Sequence, residues 1–405
     1  MAVNPIMTYH LKQQTPMIHF QSDEDGATLR ASEVKPKLDR FILQQYKQED
    51  KPIPKEWFVS TEHSALNYKM RFKADTNSKT ASIPYSMFYA NMGEDRKRNP
   101  LKMVKGDCFM EIICFLPELA IEIKNRVTDF FIVNTFGFMQ GKGFGGYILD
   151  NGNGLPIQNQ IKNALQSALR CGKVYNVQTT LPIFVEKRQE NGKWITPPNI
   201  FDNIIKPFHS LMKSGINFGR YERSYLFQYF HKKRDIQYGN DKACVKSNKI
   251  APVVYKRVNA TKGELYSCQT YKYVRALLGI TEKIEYVHAL DTYDKPLKDH
   301  NGKVIKDVVK IKSLSDINRY ASPVRYRVIG NYVYVFAVPV ADELYGKIFE
   351  FSSPTGKISI PVPNKNEFNI EDFISSFVQH INTNSDARAA VKFRNEKFEE
   401  VNPHV

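Results

Sequence analysis

The residues best suited by type and spacing to do chemistry lie in residues 136–147, FGFMQGKGFGGY, where Gly137, Gly141, Gly143, Gly145 and Gly146 surround Lys142 and Phe144. Glycines remove side-chain bulk and let backbone amides approach phosphate oxygens, while Lys142 would add charge and Phe144 a stacking face. The run follows a predicted helix, whereas a dinucleotide site needs its glycines after a strand and at the start of a helix. A phosphate-binding P-loop needs Ser or Thr after its lysine, and here Gly143 follows Lys142. Two readings remain, a loop running close against a sugar-phosphate chain and a tight structural turn.

A second cluster has a different character. Residues 232–262 hold nine Lys or Arg, among them Lys232, Lys233 and Arg234, against two acids, and Arg220, Tyr221, Arg223, Tyr225, Tyr229 and Phe230 precede them. Cations interleaved with aromatics suit a single nucleic-acid strand, charges on phosphates and rings on bases. A solvated basic face has the same composition. The five cysteines are odd in number and include no C-x-x-C pair, and the nine histidines follow no metal-binding spacing. Neither a metal nor a cofactor is expected.

The charge of the whole chain agrees with the two clusters. Lys and Arg number 58 against 42 Asp and Glu, a formal +16 that favours a polyanionic partner. An anionic membrane fits poorly, because the longest apolar stretch, near residues 108–116, is short for a bilayer and interrupted by Glu111. The opening MAVNPIMTYHLKQQ lacks the basic start and apolar run of a secretory signal. The expectation is a soluble, cytoplasmic protein that holds nucleic acid, RNA foremost.

Positioning these groups requires a frame. Alternation predicts a strand over 7–14 and a short extended piece over 17–20, and the recurrence of Val34, Leu38, Phe41 and Ile42 predicts a helix over 31–46. Residues 66–74 alternate Tyr68, Met70 and Phe72 with Lys69, Arg71 and Lys73, so one face of that strand is a row of cations. A buried strand over 107–116 and a helix over 117–133 follow. Strand, helix, strand, strand, helix is most of the split β-α-β order of an α+β, ferredoxin-like or RRM-like domain, and residues 174–181 are read as its closing strand. This domain is expected to span 1–190. Residues 191–381 are expected to form a second, degenerate ferredoxin-like domain with a hairpin turning at Gly330-Asn331, although no internal repeat is legible. Residues 382–405 read as a polar tail.

With these residues in view, the run TPMIHFQSDEDGATLRASEVKPKLDRFI resembles the opening of the RAMP superfamily, the RNA-binding subunits of CRISPR effector and repeat-processing complexes. FGFMQGKGFGGY resembles that superfamily's glycine-rich loop, in the right order and at a credible separation. The likeness is strongest to two-domain type III effector subunits. It implies RNA held across the sheet and at Gly141, Lys142, Gly143, Phe144, Gly145 and Gly146, with Lys35 and Lys37 matching a basic helix start. It also implies partners: RNA, including a guide, and other protein subunits of an antiviral ribonucleoprotein. Some relatives cut RNA with loop acids or a histidine, for which Asp23, Glu24 and Asp25, or His19 or His10, would serve here. The leading expectation is a non-catalytic RNA-binding subunit, with an endoribonuclease second and a structural protein-docking module third.

Overall fold

A computed structural model gives the fold and describes residues 4–18, 27–60, 64–76, 79–82, 102–152, 154–183, 188–191, 193–195, 197–218, 220–233, 239–241, 244–245, 271–288, 297–314, 320–391 and 396–402. The chain forms two compact units. One comprises Met1–Pro207, Arg325–Val338 and Val391–Val405, the other Phe208–Val324 and Pro339–Ala390.

The first unit opens with β1 (Ile6–Gln13), α1 (Ala31–Gln48), β2 (Lys69–Ala74), β3 (Cys108–Ile113), α2 (Pro117–Val133) and β4 (Tyr147–Leu149). Its strands form an antiparallel sheet in the order β2-β3-β1-β4, which is the ferredoxin-like arrangement. The local causes are those the sequence suggests. In β2, Met70 and Phe72 pack against the core and the three cations that alternate with them, Lys69, Arg71 and Lys73, stand exposed. Helix α1 buries Val34, Leu38, Phe41 and Ile42 on one stripe, and α2 starts at Pro117, where a missing N–H costs nothing.

The closing strand is a correction. It is β4, whose Tyr147 faces Gln13 of β1, and not residues 174–181. Three fully buried residues offer no alternation to read. After helix α3 (Gln158–Leu169), Val174–Gln178 does form a strand, β5, but it belongs to another sheet whose remaining members lie far along the chain.

Further on come α4 (Lys206–Lys213), β6 (Lys283–Val287), β7 (Lys306–Ser313), β8 (Val324–Ile329), β9 (Tyr332–Ala337), β10 (Ile348–Ser353), β11 (Gly356–Pro361), α5 (Ile370–Thr383) and β12 (Glu399–Glu400). Strands β8-β9-β5-β12 make the second sheet. Numbered by chain order within each sheet, both sheets read second, third, first, fourth. In chain order α4 and α5 fall in the intervals that α1 and α2 occupy in the first copy. The expected second ferredoxin-like order is therefore present, with long insertions. The β8–β9 hairpin turns at Gly330, φ +58°, as the sequence indicates. Residues from Asn382 onward are more than a polar tail: they finish α5, form the short helix Ser385–Ala390 and supply β12.

The second unit has its own antiparallel sheet, β6-β7-β10-β11. Its inner face carries Val309, Ile311, Phe349 and Phe351, with the Tyr273 ring 5.4 and 4.9 Å from the two phenylalanines. Helix α5 is capped by Asn369, whose side chain accepts from the Glu371 and Asp372 amides, and it buries Phe373, Ile374 and Phe377.

Candidate nucleic-acid interface

The glycine-rich segment leaves α2 at Asn134 and returns as β4, and its two halves behave differently. The second half is interior. Gly145 has φ +69°, and a Cβ there would stand 1.8 Å from the Phe136 carbonyl oxygen. Gly146 is buried and donates its N–H to Thr15 Oγ1 at 2.7 Å, and the buried Gly143 packs against Ile205 and Tyr326. Phe144 is fully buried and stacks on Phe201 with centroids 3.9 Å apart. The ring expected as a stacking face for a base is thus a core side chain, drawn inward by the apolar area it removes from water.

The first half of the segment reaches the surface. Phe138 is 50% exposed, and Met139, Gln140, Gly141 and Lys142 are partly so. A Cβ on Gly141 would meet nothing within 4 Å. The Lys142 ammonium stands 5.8 Å from the Tyr326 ring centroid. Helix α1 anchors this half. Lys37 Nζ donates to the Thr135 carbonyl and to Gln140 Oε1, both at 3.0 Å, and pairs with Glu33 at 3.1 Å. Glu33 also accepts the Gly137 N–H at 2.8 Å. Burial lowers the Lys37 pKa, and the Glu33 carboxylate opposes that shift. Lys35 points elsewhere, donating to Asp39 at 2.9 Å and the Leu66 carbonyl at 2.8 Å, 4.3 Å over the Tyr68 ring. Of the two helix-start lysines, Lys37 is brought to the loop and Lys35 is not.

The open face of the first sheet is the surface across which the resemblance implies RNA, and the residues alone show of it only the cation row of β2. Register sets Arg71 opposite Glu111 and Lys73 opposite Phe109 on β3, and Phe109 opposite His10 on β1. Phe109 is 41% exposed and stacks on His10 at 4.8 Å. Asp150 Oδ2 lies 3.2 Å from His10 Nδ1 and 2.9 Å from Lys12 Nζ, and Asp75 lies 3.9 Å from His10 Nε2. Hydrogen bonds from Lys12, the Gly152 amide and His10 hold the Asp150 carboxyl below its ordinary value. Arg71 is held by Glu111 at 2.7 Å, while Lys69 and Lys73 stand exposed at either side of it. A stacked, exposed ring pair bordered by cations can take a base on its face and phosphates at its edge. Cross-strand neighbours are not adjacent in sequence, so Phe109 is not legible there as a site residue, and His10 is legible only as a histidine of the cleavage alternative. The alternation in CFMEII, which puts Phe109 on the face of Glu111, was the available signal.

Tyr225, Tyr229 and Phe230 of the second cluster help to build a core. Tyr225 packs on Phe377 at 5.1 Å and His380 at 4.9 Å, and burial raises its pKa. Tyr229 is buried and donates its hydroxyl to Asp372 at 2.7 Å, and Phe230 stacks on Phe368. Arg223 stays partly exposed, 5.7 Å from the Phe227 ring. Arg220 falls in the short strand Arg220–Glu222, and Lys232 and Lys233 in the π-helical segment Tyr229–Lys233. Arg234 lies outside the described residues, as do His19, Asp23, Glu24 and Asp25. Among the described residues no group of three or more His, Cys, Asp or Glu could hold a metal ion, and no helix is long and apolar enough to cross a membrane.

No curated protein matches the chain. Among solved structures, the apo crystal structure of Cmr1 from Pyrococcus furiosus is similar at 10% identity over 98% of each chain, with a TM-score of 0.38. A chain of the Type III-B Cmr-beta complex bound to cognate target RNA is similar at 11% identity over 36% of this chain and 58% of that one, with a TM-score of 0.26. The assignment rests instead on family models: residues 5–216 match the Cmr1 N-terminal domain and residues 221–398 the Cmr1 C-terminal domain. The two together span nearly the whole sequence in the expected order, and the chain belongs to the Cmr1 family.

Proposed function

We propose that this chain is a non-catalytic, RNA-holding subunit of a type III CRISPR effector complex, working in the cytoplasm beside other protein subunits. The observation that carries the reading is the match of both halves of the chain to Cmr1 domains, in order. We assign the grip on single-stranded RNA to the open face of the first sheet, where Phe109 and His10 offer a ring surface and Lys12, Lys69 and Lys73 offer charge. The exposed half of the glycine-rich segment, Gly141 and Lys142, adds a place where a backbone can approach closely. The test is retention of labelled single-stranded RNA by the purified protein over a salt series. Retention should fall steeply between low and moderate salt, and a Phe109→Ala, Lys73→Ala variant should bind about 10-fold more weakly. A protein that retains no RNA even at low salt would end this reading.

One observation favours a second reading, an endoribonuclease of the same superfamily. His10 sits on the exposed face between two carboxylates, Asp75 and Asp150, an arrangement that can orient an imidazole for proton transfer. Equal and negligible cleavage of labelled RNA by the wild type and by His10→Gln eliminates it.

A further inference from the structure

The outer face of the β6-β7-β10-β11 sheet in the second unit carries a pattern that no motif in the sequence announces. Strand β7, KDVVKIKS, buries Val309 and Ile311 and exposes Lys306, Lys310 and Lys312. Register sets Lys310 directly opposite Lys283 of β6 on one side and Ser352 of β10 on the other, and Ser352 opposite Lys357 of β11. Three lysines therefore fall in one row across four adjacent strands, a width of about 14 Å at the usual interstrand spacing. Like charges directly opposite each other cost stability in a sheet. The acids of this face serve its flanking lysines: Glu285 pairs with Lys306 at 2.8 Å and more distantly with Lys283 at 3.9 Å, and Glu350 with Lys357 at 3.2 Å. Lys310 and Lys312 make no ion pair among the described residues.

We propose that this face is a second nucleic-acid surface, a phosphate track that a single RNA strand crosses without its bases being read; the proposal rests on the RNA-holding reading above. Two features select the occupant. The face sets Lys310 directly against Lys283 and leaves Lys310 and Lys312 without an acidic partner among the described residues, a cation excess that a polyanion neutralises and a neutral protein surface does not. The rings of the sheet, Phe349 and Phe351, point to the opposite, buried face, so the described outer residues supply charge without a stacking platform. A track of this kind contributes affinity and salt dependence but no sequence preference.

The experiment uses the full chain carrying Lys283→Gln, Lys310→Gln and Lys312→Gln together, beside a control with Lys47→Gln, Lys55→Gln and Lys124→Gln, three exposed lysines of the first unit. Binding of labelled oligouridylate and of a mixed-sequence RNA is measured over a salt series. The sheet variant should lose affinity for both RNAs by the same factor, and its slope of log affinity against log salt should be shallower by about 2, at about 0.7 per phosphate contact. The control, with the same net charge, should change its slope by much less. The sheet variant's unfolding midpoint should be no lower than that of the wild type, because the Lys283–Lys310 like-charge pair is removed. An unchanged slope in a wild type that binds RNA overturns the proposal alone, and so does an equal change in the control or a loss confined to one sequence. If the variant instead loses an acidic protein partner with RNA binding intact, the face is a protein dock and the proposal fails. A wild type that binds no RNA overturns it together with the function proposed above.

Discussion

At Gly145 a methyl group has nowhere to go. The backbone is left-handed, φ +69°, and the Phe136 carbonyl already fills the position of a Cβ. Gly141, four residues earlier in the same run, has empty space around it. The two substitutions should therefore separate cleanly in urea unfolding: Gly145→Ala should cost more than about 2 kcal/mol, and Gly141→Ala should stay within about 0.5 kcal/mol. Equal costs would mean that the loop does not turn as described. The sequence shows five glycines without showing which of them answer to the fold and which leave room for a ligand. That distinction depends on Thr15 and Tyr326, remote in the chain, and on the turn that brings Phe136 back against Gly145, and composition cannot express it. Phe144 illustrates the same limit. Its place beside Lys142 suggests an exposed ring, and only the position of Phe201 reveals a core one.

Elements are legible in the sequence where burial is one-sided and obscure where it is complete. The alternation in β2 and the 3.6-residue stripes of α1 and α2 fix faces, although β2 starts three residues later than its alternation and α1 runs two residues longer, while β4 is buried throughout and too short for any period to emerge. Two contacts that join elements carry consequences of their own. Arg327 of β8, 3% exposed, donates to the Phe131 and Ile132 carbonyls at the end of α2, at 2.6 and 2.7 Å. Burial lowers its pKa to about 9, so it remains charged at neutral pH, where a cation suits a helix C-terminus. Arg327→Ala, which removes both donors and leaves a void, should cost about 2–4 kcal/mol in urea unfolding, and a loss below about 1 kcal/mol would contradict the clamp. The second contact joins α1 to α2. Arg126 donates to both oxygens of Glu49, at 2.9 and 3.0 Å, and hydrogen bonds from Arg126 and Lys51 hold the Glu49 carboxyl at about 2 against an ordinary value of 4.5. The folded pKa is depressed, so the folded state binds this proton less readily than the unfolded chain does. The contribution is complete above about 4.5 and is lost as pH falls towards about 2. The gap in thermal midpoint between wild type and Glu49→Gln should narrow across that window, and a constant gap would show that the pair does not titrate with folding.

The first unit is assembled from three separate stretches of chain, and this governs how the molecule can be divided. The match to the Cmr1 N-terminal domain ends at residue 216, whereas β5 draws its partners from β9 and β12, at residues 332–337 and 399–400. The charge of +16 and the ferredoxin-like order of the first sheet are legible in sequence because each follows from composition or from neighbours in the chain. The second sheet is not, because its first strand and its central hairpin are separated by more than a hundred residues of insertion. A fragment ending at residue 216 would keep β5 but strip it of both neighbours, exposing Val174, Tyr175 and Val177 along with two unpaired backbone edges. It would also lack Tyr326 and Arg327, which lie against Gly143 and the end of α2. Expressed alone, residues 1–216 should aggregate or unfold without a cooperative transition. Co-expression with residues 217–405 should restore a soluble complex, because the missing strands come from that half. A soluble, monomeric 1–216 fragment with the β5 amides protected from hydrogen exchange would show that this strand does not need its late partners, and the discontinuous unit would then be the wrong description of the fold.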